Sequence, residues 1–427
     1  MKTPYIHRAA PIVALASVLV SGTTVGRAAD FQWTASVGAA YNAGTNWAGN
    51  VAPSSTSSDT TDDIVTPSGY GDVLINVNRH VRHFNVALDQ DWLWRAGSGT
   101  YTYNINGTLT KSGSAALTFR GHTSDNNFTL GLVIGGIDLQ GGTLNFGEAI
   151  YGAAGRLRSL NVTGATTIAA NSTLNLNVRS GTGSGLGTPS ATLNTITLNG
   201  GTLNIAQMNA TSATTPSGSL TTGITAASLA GASGTVQTKT HATPDVIVNG
   251  VLTLNAASGS TSYGGLVADG VNATLAIQKT GAAEQILTGS NTYTGGTEVQ
   301  AGIMATGITG NFGTGNVRVQ TATLFLGNAA SIADAATLFF TNNSTVDLSF
   351  AGTEFIGALT NETTSVSATA GIYTASQLND IFGGNIFSGD GLLAVAIPEP
   401  SAVVLLIALC AAVPACRLRR RRASLRS

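Results

Sequence analysis

Two histidines three residues apart, His80 and His83 in NVNRHVRHF (76–84), form the densest group of chemically capable side chains, together with Arg79 and Arg82. As zinc ligands they fail on geometry, because positions i and i+3 of a strand point to opposite faces and no third ligand is adjacent. The stretch reads instead as a solvent-facing turn between the strands VLINV and HFNVAL. SDTTDD (58–63) offers Asp59, Asp62 and Asp63 as hard oxygen ligands of the kind calcium takes. It lacks the glycine-spaced regularity of a calcium loop and reads as a solvated capping loop. Asp89 and Asp91, followed by Trp92 and Trp94, could make a carboxylate pair beside a sugar-stacking aromatic, although a Trp-x-Trp on one strand face is more often a local packing patch. No G-x-S-x-G occurs, and the only cysteines, Cys410 and Cys416, lie in an apolar tail, so the body offers neither a nucleophile motif nor a thiolate metal site. No catalytic residue, metal or cofactor is expected.

The elements that would have to position such groups are short and polar-spaced. Only 10% of the 427 residues are charged, against roughly a quarter in ordinary globular domains. There are 53 glycines, with much Thr, Ser, Asn and Ala, yet 43% of residues are hydrophobic, which argues against disorder. The net charge of −1 conceals a polarity, because nine of the basic residues lie before residue 28 or after residue 416. Without the two ends, eleven basic residues face twenty acidic ones, a charge near −9 that excludes a phosphate-binding, nucleic-acid partner.

The N-terminal stretch, with Lys2 and Arg8, an apolar run from Ala9 to Val20 and small residues to Ala28 and Ala29, has the order of a secretory signal peptide (1–28). Cleavage is expected after Ala28 or Ala29, with export through the Sec machinery. At the other end, Pro398, Glu399 and Pro400 precede an apolar run from Ala402 to Cys416, which is shorter than the ~20 residues of a comfortable bilayer span. A cluster of Arg417, Arg419, Arg420, Arg421 and Arg422 follows and would hold that side in the cytoplasm. Tripeptide, apolar helix and basic cluster together (397–427) resemble the PEP-CTERM sorting signal. That resemblance implies an exosortase as partner, cutting near the tripeptide and passing the body to the cell surface or extracellular matrix, so that the transmembrane helix is a transient anchor. A permanent single-span anchor is the alternative.

Between the ends, short alternating runs are separated by Gly, Asn and Ser. IDLQGGTLNF (137–146) and ITLNGGTLNI (196–205) are near copies, each reading strand, glycine turn, strand. Taking the leucine after the turn as a marker gives Leu109, Leu144, Leu174, Leu203, Leu252, Leu275 and Leu324, at irregular intervals. Units that cannot bury an apolar face alone, with insertions bulging as loops, predict an all-β chain folded as a right-handed parallel β-helix, with Asn and Thr ladders between coils. The length of the chain without an aromatic core argues against a β-sandwich. LTGSNTYTGGTEVQAGIMATG (287–307) resembles the autotransporter-associated β-strand repeat through Leu287, Gly289, Asn291, Tyr293, Gly295, Gly296, Thr297 and Gly302, with a degenerate end at Ile303-Met304. The expected organisation is a cap with first coils (29–118), a solenoid (119–370), a closing segment (371–396) and the sorting signal.

The expected function is that of an exported, noncatalytic, structural or adhesive surface protein, with exopolysaccharide or other envelope components as partners. A polysaccharide lyase or glycosidase on the same scaffold is the rival; three carboxylates, or a carboxylate–arginine set, converging in one groove would favour it. A full autotransporter passenger is disfavoured, since no run of amphipathic barrel strands follows.

Overall fold

Strict alternation sets the strands. In Ala273–Lys279 (ATLAIQK) every second side chain from Ala273 is buried and those between are partly exposed, as a strand half-covered by its own core requires. The computed structural model describes residues 29–35, 39–53, 62–69, 72–97, 99, 101–121, 130–147, 157–176, 190–205, 218–238 and 246–396. The expected signal peptide (1–28), the Pro398–Pro400 tripeptide, the apolar run and the arginine cluster fall outside them. Among the described residues no helix is long and apolar enough to cross a membrane.

Strands pair in parallel with the strand one turn later, which makes a parallel β-helix of three ladders. One turn runs from Tyr101–Ile105 on what we term the third face, through a bend to Leu109–Ser112 on the first face, to Ala116–Arg120 on the second; Leu130–Ile134 then returns beside Tyr101–Ile105. Among the described residues the antiparallel contacts lie at the two ends: Trp33 with Trp47, Thr360–Asn361 with Val366–Ser367, and Gly371–Tyr373 with Leu393–Val395.

One inward column measures the turns. On the third face Val81, Ile105, Ile134, Val162, Leu193, Ala226, Leu254, Lys279, Val299, Val319, Phe340 and Asn361 stand in successive register, all of them buried. From Ile105 to Leu254 a turn takes 28 to 33 residues; the next takes 25, and those after Lys279 take 20 or 21. The narrowing coincides with loss of strand structure on the second face, whose last strand is Leu266–Ala268. Leu144, Leu174 and Leu203 are register partners on that face, so their spacing is one turn. Leu109 and Leu324 lie on the first face, and Leu252 and Leu275 on the third. The marker intervals are irregular because they mix faces.

The expected amide ladder is present. On the second face Asn175 Nδ2 donates to Asn145 Oδ1 (2.7 Å), Asn204 Nδ2 to Asn175 Oδ1 (2.7 Å), Gln237 Nε2 to Asn204 Oδ1 (2.9 Å), and Asn145 Nδ2 to Thr118 Oγ1 (3.0 Å).

The absence of an aromatic core is corrected by the first turns. Trp33, Tyr41, Trp47, Phe84, Trp92, Trp94, Tyr103 and Phe119 are buried together, with Trp33–Trp47, Phe84–Trp94 and Trp94–Tyr103 centroids 5.0, 5.0 and 5.3 Å apart in edge-on geometry. Such pairs add about 0.5–1.5 kcal/mol each to their area burial. At the other end the helix Ala375–Phe382 closes the stack. It starts in a capping box between Thr374 and Gln377, and Phe382 packs edge-on to Phe340, 4.9 Å between centroids. The strand Leu392–Val395 joins Thr353–Ile356 and Gly371–Tyr373 in a separate small sheet over that end.

Candidate functional site

The repeat residues come together as one turn. Ile277 and Lys279 end a third-face strand, Glu284–Leu287 occupies the first face, and the irregular segment from Thr288 to Gly296 replaces a second-face strand before Thr297–Val299 rejoins the third face. Asn291 splints three turns: its Oδ1 accepts from Val267 N (2.9 Å) of the turn before, and its Nδ2 donates to Asn311 O (2.7 Å) of the turn after. Tyr293 is buried where the second-face strand is missing, with its hydroxyl 2.6 Å from Thr297 Oγ1, and burial raises its pKa. Gly295 passes so close to the preceding turn that a Cβ would sit 2.5 Å from Leu275 O, and Gly296 has φ +88°, so both need glycine. Leu287 is buried on the first face; Gly289 follows it at the corner, and Gly302 turns the chain from third to first face.

Along the third face, from this turn onward, Gln278, Glu298, Arg318 and Phe339 form a column of successive register partners. They line a groove of about 410 Å³ together with Val251, Ala276, Thr294, Gly295 and Asn316. Glu298 accepts from Gln278 Nε2 (3.2 Å) and Gln320 Nε2 (3.0 Å), one amide on each carboxylate oxygen. Arg318 pairs with Glu362 at 3.0 Å, and its guanidinium carbon lies 5.3 Å from the Phe339 ring centroid. Asp269 fixes the Thr294 corner, accepting from the Thr294 hydroxyl (2.7 Å) and from Leu275 N (2.6 Å).

The remaining candidates are dispersed. His80 and His83 stand on different faces, His80 beside the Asn104 amide at 3.0 Å and His83 Nδ1 accepting from Thr108 N at 3.0 Å. The stretch is not a solvent-facing turn throughout. Arg79–Val81 is a strand, and Arg79 is buried, 5.2 Å from the Tyr41 ring centroid, with its pKa lowered by burial. The inward parity it shares with Val81 draws it in. Asp63 accepts from both Arg82 Nε (2.9 Å) and Arg82 Nη2, an ion pair between turns. Asp62 is buried, and Asp59 lies outside the described residues. Asp91 caps Ala116 N (2.8 Å), while Trp92 and Trp94 face the core, so they form a packing patch and offer no sugar platform. Ala29 is the first of the described residues, and its carbonyl accepts from Asp63 N (2.9 Å). Ala28 lies outside the described residues.

Sequence reading passed over several buried charges, Lys111, Lys279 and Glu354 among them. Lys111 Nζ donates to Gly113 O (2.9 Å) and Gly141 O (2.7 Å), and Lys279 Nζ to Gly281 O and Ala301 O. Each lysine thus gathers corner carbonyls of its own turn and the next. Burial lowers both pKa values, that of Lys111 to about 8. Glu354, with no exposed surface, accepts from Ser331 N (3.1 Å) and Ile332 N (2.7 Å), and burial pushes its carboxyl up to about 7. Also passed over was a second, degenerate copy of the repeat: Asn311, Thr314, Gly315 and Val319 stand twenty residues after Asn291, Thr294, Gly295 and Val299, as an offset comparison of the sequence with itself would have shown. Among the described residues no three His, Cys, Asp or Glu side chains converge as a metal site.

These features define the turn as one rung of a repetitive parallel β-stack. A protein-family model, the passenger-associated-transport-repeat, which is an autotransporter-associated repeat, matches residues 277–305. The matched span starts at Ile277 on the third face and ends in the first-face strand Ile303–Thr306 of the following turn, one full turn and a little more. No curated protein and no solved structure matches the chain.

Proposed function

We propose that this chain is an exported, noncatalytic surface or extracellular-matrix protein, a structural or adhesive solenoid that an exosortase sorts at Pro398-Glu399-Pro400. The observation that carries the reading is the autotransporter-associated repeat seated as an integral turn of a continuous parallel stack. The resemblance of the two ends to a signal peptide and a PEP-CTERM signal supports export and sorting.

The rival, a carbohydrate-active enzyme, has its best support in the Glu298–Arg318 groove. There both oxygens of Glu298 already accept amide protons, and Arg318 is held by Glu362 and Phe339. Glycosidic cleavage needs two carboxylates free to act across the scissile bond; with Glu298 engaged by two amides and Glu362 by Arg318, we read the groove as a binding surface.

The test is the intact mass of protein recovered from the cell surface and medium, compared with a Pro398-Glu399-Pro400 to alanine variant. A species starting at Ala29 or Asp30 and ending near Pro398, lost in the variant, is expected. An unprocessed Ser427 terminus in the membrane fraction of both would refute exosortase sorting and leave a permanent anchor.

A further inference from the structure

The groove on the third face lies where the solenoid narrows. Val251 belongs to the last wide turn, Ala276 to the 25-residue turn at the step, and Gly295, Asn316 and Phe339 to the narrow turns after it. A change of cross-section in a stack of otherwise matched turns leaves a concavity at the step, here of about 410 Å³, inside the roughly 300–1,000 Å³ range of ligand sites.

We propose that this groove binds a segment of a neutral, hydroxyl-rich oligosaccharide. A pyranose ring presents apolar C–H faces and a rim of hydroxyls, and the groove offers the complement of both. Val251, Ala276 and Phe339 supply apolar wall. For the rim, Asn316 Oδ1 is fixed by Thr337 N (2.9 Å), which orients the amide and leaves Nδ2 to donate. Each Glu298 oxygen accepts one amide proton and retains capacity for a second. Arg318 uses one nitrogen on Glu362 and keeps further donors. The charge balance selects against acidic sugars, since the carboxylates of Glu298 and Glu362 outnumber the one guanidinium beside them. Glu298, Arg318 and Phe339 sit on strands in register, Asn316 is held by Thr337 N and the Thr294 corner is pinned by Asp269, so little ordering remains to be done on binding.

This inference rests on the surface reading only for the supply of such chains. Binding is measured on the recovered protein whatever its sorting, so either can fail alone. Cellohexaose, maltohexaose and a galacturonate hexamer are titrated calorimetrically into wild type and into Ala276→Trp, which fills the groove, Phe339→Ala and Asn316→Ala. Saturable binding of a neutral hexasaccharide is expected, abolished in Ala276→Trp and weakened at least tenfold in Phe339→Ala, with no binding of the galacturonate. Asn316→Ala, expected to weaken binding several-fold, decides the matter if Ala276→Trp fails to fold, as judged by its melting curve. No saturable binding of either neutral sugar overturns the proposal, as does preference for the galacturonate or unchanged affinity in the folded groove variants.

Discussion

Glu354 makes the stability of the C-terminal end depend on pH in a direction opposite to that of most carboxylates. It lies at an inward position of Thr353–Ile356, and its oxygens accept from Ser331 N and Ile332 N. Those two bonds favour the ionised form, but burial is the larger effect and nearby Asp334 adds to it, so the carboxyl is pushed up from 4.5 to about 7. Between those values the folded chain keeps a proton that the unfolded chain has released. Stability therefore falls as pH rises through this window, is greatest below the unfolded value and is level above the folded one. At about 1.4 kcal/mol per pKa unit, the interval between the two values corresponds to about 3 kcal/mol. Urea unfolding of wild type and Glu354→Gln, at several pH values from about 4 to 8.5, isolates the effect, because other groups titrate alike in both. The difference between them is expected to grow against wild type as pH rises. In a stack of turns the end can open by itself, so amide exchange over residues 328–336 provides the local reading. Equal pH slopes in the two proteins, or a wild type that gains on the variant with rising pH, would refute the reasoning and mean that the two N–H donors hold the carboxylate ionised.

Two further outcomes follow from the core. Asn175→Ala interrupts the amide ladder, leaving Asn145 Oδ1 and Asn204 Nδ2 without their partner; a loss of about 1–3 kcal/mol is expected, read as a lower urea midpoint. Trp94→Ala empties the middle of the aromatic end, where Trp94 meets Tyr41, Phe84, Trp92, Tyr103 and Phe119. It is expected to cost about 3–5 kcal/mol, with the tryptophan fluorescence transition, which reports the first turns alone, preceding the far-UV circular dichroism transition of the whole stack.

Much of the architecture is legible in the alternation of short strands. Leu144, Leu174 and Leu203 mark a true turn length, and the near-copies 137–146 and 196–205 occupy equivalent first-to-second-face positions. The narrowing after Lys279 is not legible, because leucine appears at inward positions on all three faces and a marker does not say which face it belongs to. Arg79, Lys111, Lys279 and Glu354 share one overlooked signal. Each stands two residues from a buried aliphatic side chain, Val81, Leu109, Ile277 and Ile356, and so on inward parity. A charge in phase with the core is either an error of register or a buried group with partners, and parity alone cannot distinguish them. The groove was invisible for a different reason: Gln278, Glu298, Arg318 and Phe339 are separated by about twenty residues each and meet only through register.

The succession of turns also fixes how the molecule would respond to being pulled. Hydrogen bonds between parallel strands run along the axis of the stack, so tension applied at its ends loads one turn at a time and peels it from its neighbour. Each narrow turn releases 20 or 21 residues, about 70 Å of extended chain, and each wide one of 28 to 33 residues about 90–115 Å. Under load the chain would lengthen in steps that shorten toward its narrow end, yielding by increments and re-coiling when the force drops.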